Sequence, residues 1–197
     1  MTTKAGRAQR ELPREGRIIG GQWKRTKLPV ADRPGLRPTP DRVRETLFNW
    51  LGQDLSGWRC VDAFAGSGAL GFEAASRGAV EVVLLERDPV LVASLSATRL
   101  RLQADKIRVE RADGLQWMAR AAHDAFDLVF LDPPFDTPLL APALLAAARI
   151  VGAGGLVYVE APAPLEPAGL AVAALEPWRA SRAGAVHFQL LRKLATG

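Results

Sequence analysis

Three features of the sequence predict an α/β fold with a doubly wound, mostly parallel sheet. From residue 58 onward, short apolar runs alternate with longer amphipathic stretches, the pattern of strand-helix repeats. The first apolar run leads into a turn with glycines at 66, 68 and 71, and open sheets of this class bind ligands beyond the carboxyl ends of their strands. Acids stand at or just past the ends of four runs, at Asp62, Glu86, Asp113 and Asp132.

In chain order, residues 1–16 carry Arg, Glu, Gly and Pro without an apolar period, which predicts a flexible basic tail. Residues 17–30 are expected to form a small hairpin rich in cations. Within it Arg17, Trp23, Lys24, Arg25 and Lys27 suit a surface that follows phosphates and touches a base. A helix follows: Thr39 is placed to cap it, Pro40 suits its first position, and Val43, Leu47, Trp50 and Leu51 share one face, sending Arg42 and Arg44 elsewhere. The spacing then predicts strands over 59–64, 80–86, 107–111, 127–131 and 155–160, with helices over 69–77, 89–103, 114–122 and 138–150. Gly78 sits where a left-handed C-terminal cap belongs, and Arg77 lies in the last turn before it. In the tail, 170–176 and 185–192 are strand-compatible runs around a polar, Gly-containing stretch, predicting an antiparallel pair that finishes the sheet.

With 197 residues and 48% hydrophobic content, the chain has the size of one such domain and a small appendage. Residues 1–45 hold 12 Lys/Arg against 5 Asp/Glu and the remainder 14 against 16, so the net charge of +5 is an N-terminal property that points to a polyanionic partner. Cys60 is the only cysteine, which excludes an intramolecular disulfide. No metal-ligand spacing is present, and His123 and His187 stand apart without a Ser or Cys partner in triad spacing. Trp58, Trp117 and Trp178 read as packing residues. Without an apolar run of leader or membrane-span length, the expectation is a soluble, cytoplasmic monomer.

Val61 to Gly71 reads as strand, Gly-rich turn and helix, matching G-x-G-x-x-G at Gly66, Gly68 and Gly71. Glu86 ends the next strand about 20 residues on, where a carboxylate can bind both hydroxyls of a ribose. Such a pair names an adenosine cofactor and leaves open a dinucleotide or S-adenosylmethionine. Asp62 decides on sign, because its carboxylate would repel a pyrophosphate, whereas S-adenosylmethionine carries a sulfonium and an ammonium and no phosphate. Asp113 can accept the adenine amine, cap the helix beginning near Gly114, or do both.

Val129-Phe-Leu-Asp-Pro-Pro-Phe135 is an apolar run that stops at an acid, a rigid Pro-Pro and an aromatic ring. Asp132 and the Pro133 carbonyl can accept the two N–H bonds of an aromatic amine, and Phe135 can stack on its ring. Asp-Pro-Pro also serves as simple punctuation at a strand end. Any planar amine fits the motif, DNA adenine N6 and a protein glutamine amide among them. A nicotinamide-dependent oxidoreductase is disfavoured by Asp62, and a noncatalytic RNA-binding module stays open.

Asp62 to Gly71, Glu86, Asp113 and Asp132 to Phe135, in this order, resemble the class I S-adenosylmethionine-dependent methyltransferases that modify exocyclic amines. Arg17 to Gly21, Gly35 to Thr39 and Asp41 to Leu51 are similar to the RsmD family of bacterial 16S ribosomal RNA guanine-N2 methyltransferases, over roughly residues 17–192. Pro40 departs from the Thr often found there. The resemblance implies a seven-stranded sheet and a methyltransferase domain over 54–197. It also implies a segment 17–53 that binds RNA, through Arg42 as well as the hairpin, and covers the cofactor. Asp132, Pro133 and Phe135 would hold the target guanine. Asp62, Phe64, Gly66, Gly68, Glu86, Arg87, Asp113 and Gly114, with Arg37 and Thr39 from the N-terminal segment, would hold S-adenosylmethionine. The substrate would be 16S rRNA in the small subunit or its precursor. Unstacking a paired base costs a few kcal/mol, which favours a looped or single-stranded guanine.

Overall fold

The computed structural model describes residues 15–30 and 39–195. Strands β1 (Glu15–Arg17) and β2 (Lys27–Pro29) pair antiparallel as the expected hairpin, followed by α1 (Asp41–Trp50). The main sheet then alternates β3 (Arg59–Asp62), α2 (Ala69–Ser76), β4 (Glu81–Glu86), α3 (Pro89–Arg101), β5 (Ile107–Arg111), α4 (Gly114–Arg120), β6 (Phe126–Leu131), α5 (Leu140–Ile150) and β7 (Val151–Ala161). It ends with α6 (Pro167–Val172), β8 (Leu175–Ala183) and β9 (Val186–Lys193). Seven strands lie in the order β5-β4-β3-β6-β7-β9-β8, with β5 to β7 parallel and β9 and β8 antiparallel. Because the chain moves outward from β3 through β4 to β5 and returns to place β6 on the other side, the strand order reverses between β3 and β6. Such a switch point opens a crevice at the carboxyl edge.

Strand side chains alternate between two cores. Cys60, Val82, Leu84, Leu128, Phe130 and Tyr158 face the layer that holds α1, α2 and the hairpin. Val61, Val83, Leu85, Val129, Leu131 and Val159 face the layer that holds α4, α5 and α6. This period of two makes the central strands read as continuous apolar runs, as strands buried on both faces must.

The hairpin is fastened to α2 by its turn. Gln22 N donates to the Ser76 carbonyl (2.8 Å), Trp23 N to Ser76 Oγ (3.0 Å), and Ser76 Oγ to the Gly20 carbonyl (2.6 Å). A Cβ on Gly21, at φ +73°, would stand 1.9 Å from the Ser76 carbonyl oxygen, so only glycine permits this approach. Beneath it, Glu73 is fully buried and accepts from Ile19 N (2.8 Å), Arg77 Nε (2.8 Å) and Arg44 Nη1 (3.4 Å). The Arg77 guanidinium also lies 4.7 Å over the Phe48 ring.

Two expectations about α1 are corrected. Thr39 does not cap the helix, because its hydroxyl donates to Glu160 Oε1 (2.8 Å); the cap position falls to Pro40, without a side-chain bond. Arg44 does not project into solvent: it is 1% exposed and pairs with Asp41 (2.6 Å) and Glu73. Apolar periodicity could not place a cation inside, since the partner that admits it lies on another helix. Removing one member of a buried pair leaves an uncompensated charge. Glu73→Ala is therefore expected to lower stability by about 3–5 kcal/mol. Denaturant titration checks this, and a loss below about 1 kcal/mol would show that the two guanidiniums do not depend on the carboxylate.

The tail is also corrected. Residues 170–172 close helix α6, and the strand expected at 170–176 begins at Leu175 and continues to Ala183 through the stretch read as a connection. As the sheet edge, β8 pairs on one side only and needs few apolar residues, so its exposed Arg, Ser and Ala concealed it. Among the described residues no helix is long and apolar enough to cross a membrane, and no group of three or more His, Cys, Asp or Glu could hold a metal.

Candidate active site

Three acids converge at the switch point. Continuing the alternation past Cys60, Phe130 and Tyr158 puts Asp62, Asp132 and Glu160 on the α1 and α2 face, at the carboxyl ends of the adjacent strands β3, β6 and β7. Their fields meet: Glu86 and Glu160 both raise the Asp62 pKa, and Asp132 and Glu160 both raise that of Tyr158. Asp62 is 2% exposed, and burial, reinforced by these neighbours against hydrogen bonds from Gly71 and Phe64, pushes its carboxyl up to about 7. The Tyr158 phenol is held well above its ordinary value, by burial first and then by Glu160.

Asp62 also shapes the glycine turn, since its Oδ2 accepts from Gly71 N (3.1 Å) in the first turn of α2. Gly68 occupies the N-cap at φ +77°, where a Cβ would meet Phe72 and Leu95 at 2.7 and 2.6 Å. Glu86 Oε2 accepts from Gly66 N (3.0 Å), and its Oε1 accepts from Arg87 N (2.7 Å) and Asp88 N (2.9 Å). A carboxylate offers about four acceptor sites. A vicinal diol with two donors must therefore share or displace one of these backbone bonds. Asp113 caps α4 through Gln116 N (3.0 Å) and stands 3.6 Å from the exposed Arg87 guanidinium. Gly114 is fixed by packing, as its Cβ would meet the Ala63 carbonyl oxygen at 2.2 Å. Phe64 is half-buried against the second core.

Across the crevice, Asp132 and Phe135 are half-buried, Pro133 is buried and Pro134 is exposed. The Pro134 carbonyl accepts from Thr137 Oγ1 (2.7 Å) and Thr137 N (3.3 Å), locking the turn that carries Phe135. Glu160, 4% exposed, accepts from both Thr39 Oγ1 (2.8 Å) and Tyr158 Oη (2.9 Å). Sequence reasoning missed Thr137, Tyr158 and Glu160. The signal for the last two was present: Val157-Tyr-Val-Glu160 sets a phenol and an acid two apart, hence on one face, in an otherwise apolar strand.

The N-terminal candidates separate. Thr39 joins the site, and Arg37 lies outside the described residues. Lys24 and Arg25 are exposed, but they sit in the turn clasped by Ser76 at the far end of α2. Eight helical residues span about 12 Å, so this turn lies at the opposite edge of the sheet from Asp132. Arg17 pairs with Asp41 (2.7 Å), Trp23 packs half-buried on the first core, and exposed Lys27 offers its carbonyl to Arg101 (2.8 Å). Arg42 is exposed near the active-site end of α1.

The arrangement can take a cation at Asp62, a diol at Glu86 and a planar amine between Asp132 and Phe135. The family model described as Conserved hypothetical protein 95 matches residues 16–192. Ribosomal RNA small subunit methyltransferase D of Escherichia coli is 41% identical over 92% of this chain and 91% of that protein; its Haemophilus influenzae namesake is 45% identical over 74% and 78%. The solved structure of Escherichia coli yhhF superposes with a TM-score of 0.81 at 37% identity, covering 92% of this chain and 99% of that one. By the extent of this match, the chain belongs to the RsmD family, the Conserved hypothetical protein 95 family.

Proposed function

We propose that the protein transfers a methyl group from S-adenosylmethionine to the exocyclic N2 amine of a guanine in 16S ribosomal RNA. The observation that carries this reading is the meeting of Asp62, Asp132 and Glu160 at the β3–β6 switch point, with a Pro-Pro-Phe turn on its rim. When bound, S-adenosylmethionine supplies an electrophilic methyl on a cationic sulfur. A buried carboxyl held near 7 by burial and by two other acids suits such a ligand, because a nearby positive charge restores its ionised form. Glu86 binds the ribose, exchanging a backbone bond for it. Phe64, Arg87, Asp113 and Gly114 surround the adenine. Thr39, held by Glu160, stands on the cofactor side of the crevice.

Asp132 and the Pro133 carbonyl accept both N–H bonds of the guanine amine, aiming its lone pair at the methyl while Phe135 stacks on the base. The amine is a weak nucleophile because its lone pair is delocalised into the ring, so orientation supplies most of the rate. Asp132 takes the proton that the amine loses. The names of the relatives support an rRNA substrate of the small subunit.

To test this, the protein is incubated with labelled S-adenosylmethionine and small subunits from a strain lacking the enzyme, and the RNA is digested to nucleosides. Label is expected in N2-methylguanosine. Label in another nucleoside, or in protein, overturns the assignment of the target.

A further inference from the structure

The surface along α1 and the β8–β9 hairpin has no part in the site described above. On α1, Arg42, Thr46 and Trp50 are spaced by four and share a stripe. Trp50 stacks on Phe188 of β9 with centroids 5.3 Å apart, so this stripe borders the C-terminal hairpin. On β8, Arg179 stands opposite Leu190 and Ser181 opposite Phe188, which puts both on the α1 face. Arg182, opposite His187, projects from the other face of the same edge strand.

Register sets the height of these groups. Phe188 pairs with Glu160 and His187 with Ala161, so Arg182 is level with the active site. It stands three strands from Asp132, about 14 Å at the usual strand spacing. Charge pairing differs between the two ends of the hairpin. Toward the far edge Arg192 pairs with Glu176 and Lys193 with Asp124. Toward the active-site edge Arg42, Arg179 and Arg182 are exposed, and among the described residues none has a carboxylate partner. Arg179 lies 5.0 Å over the half-exposed Trp178 ring and donates to the Trp178 carbonyl, while Arg182 donates to that of Gly184. No acid occurs between Pro177 and Leu191.

Unpaired cations beside two half-exposed indoles, Trp50 and Trp178, are the combination by which proteins follow a single nucleic-acid strand, with arginines on phosphates and rings on bases. From the height and charge of this rim we infer that the RNA strand flanking the target base crosses the edge strand β8, with Arg179 on its α1 face and Arg182 on its other face as phosphate contacts. This rests on the rRNA reading above and adds a C-terminal contact surface to it.

The test compares wild-type protein, R179E/R182E, and R120E at the end of α4 as control, in methylation of small subunits across a salt series. Calorimetry with S-adenosylhomocysteine confirms that each variant holds its cofactor site. In R179E/R182E, KM for the RNA substrate is expected to rise at least about tenfold with kcat nearly unchanged. Its log–log salt slope should fall by about 1.4, the value for two single-strand phosphate contacts. R120E should match wild type. Equal KM and slope in R179E/R182E and wild type overturn the surface alone, and equal losses in R120E overturn it by showing a general charge effect. Wild-type protein that binds the cofactor yet leaves every RNA unmethylated overturns the rRNA reading, and the surface with it.

Discussion

Asp132→Asn is expected to lower kcat at least about 10²-fold, the lower bound for a lost general base, with affinity for S-adenosylhomocysteine within about threefold of wild type. Asparagine keeps the shape of the side chain and can still accept one N–H bond, so the guanine still enters against Pro133 and Phe135. What disappears is the negative charge that strengthens this bond and receives its proton at transfer. An interaction made mainly in the transition state affects kcat and kcat/KM together and leaves ground-state binding alone. Asp132→Ala should be worse, because the amine then keeps only the Pro133 carbonyl as an acceptor. Single-turnover methylation and calorimetry separate these quantities. A parallel loss of turnover and cofactor affinity would move Asp132 to the cofactor side of the crevice.

The parallel half of the sheet was legible because its strands are buried on both faces and end at acids, so apolar runs and chemistry marked the same boundaries. Asp62, Glu86 and Asp132 could be placed from the chain alone, since each sits at a strand end and the fold class gathers strand ends together. Glu160 carried the same strand-end signal beside Tyr158, but its bond to Thr39, 121 residues away, is encoded by no local pattern. Arg44 reads as a surface cation until Glu73 is known to face it. The basic hairpin was legible in form, whereas the end of α2 that its turn grips was not, because composition reports charge and says nothing about that contact. Conversely, the C-terminal arginines were hidden by a balanced net charge, since Glu176 and Asp124 offset their neighbours at the far edge.

If Asp62 faces the sulfonium as proposed, it couples the stability of the fold to the cofactor. In the folded protein its carboxyl titrates at about 7, against an ordinary 3.8. Between those values the folded state binds a proton that the unfolded chain releases, so stability falls as pH rises from about 4 to about 7 and then levels. Asp62→Asn removes a group that must otherwise ionise without water, and its amide oxygen can still accept from Gly71 N. The variant should therefore lack this pH dependence and exceed wild type in Tm at pH 8. Its cofactor affinity should fall by about tenfold or more, the equivalent of one or more pKa units of charge coupling. Wild-type affinity should increase with pH up to about 7, and binding below that pH should release a proton, detected by calorimetry in buffers of different ionisation heat. A site that stabilises the empty fold less than asparagine does, yet binds the cation better, has been shaped for its ligand. If Tm of the wild type instead climbs between pH 4 and 7 by more than that of Asp62→Asn, or if the variant binds S-adenosylmethionine as well as wild type does, Asp62 is a structural acid only.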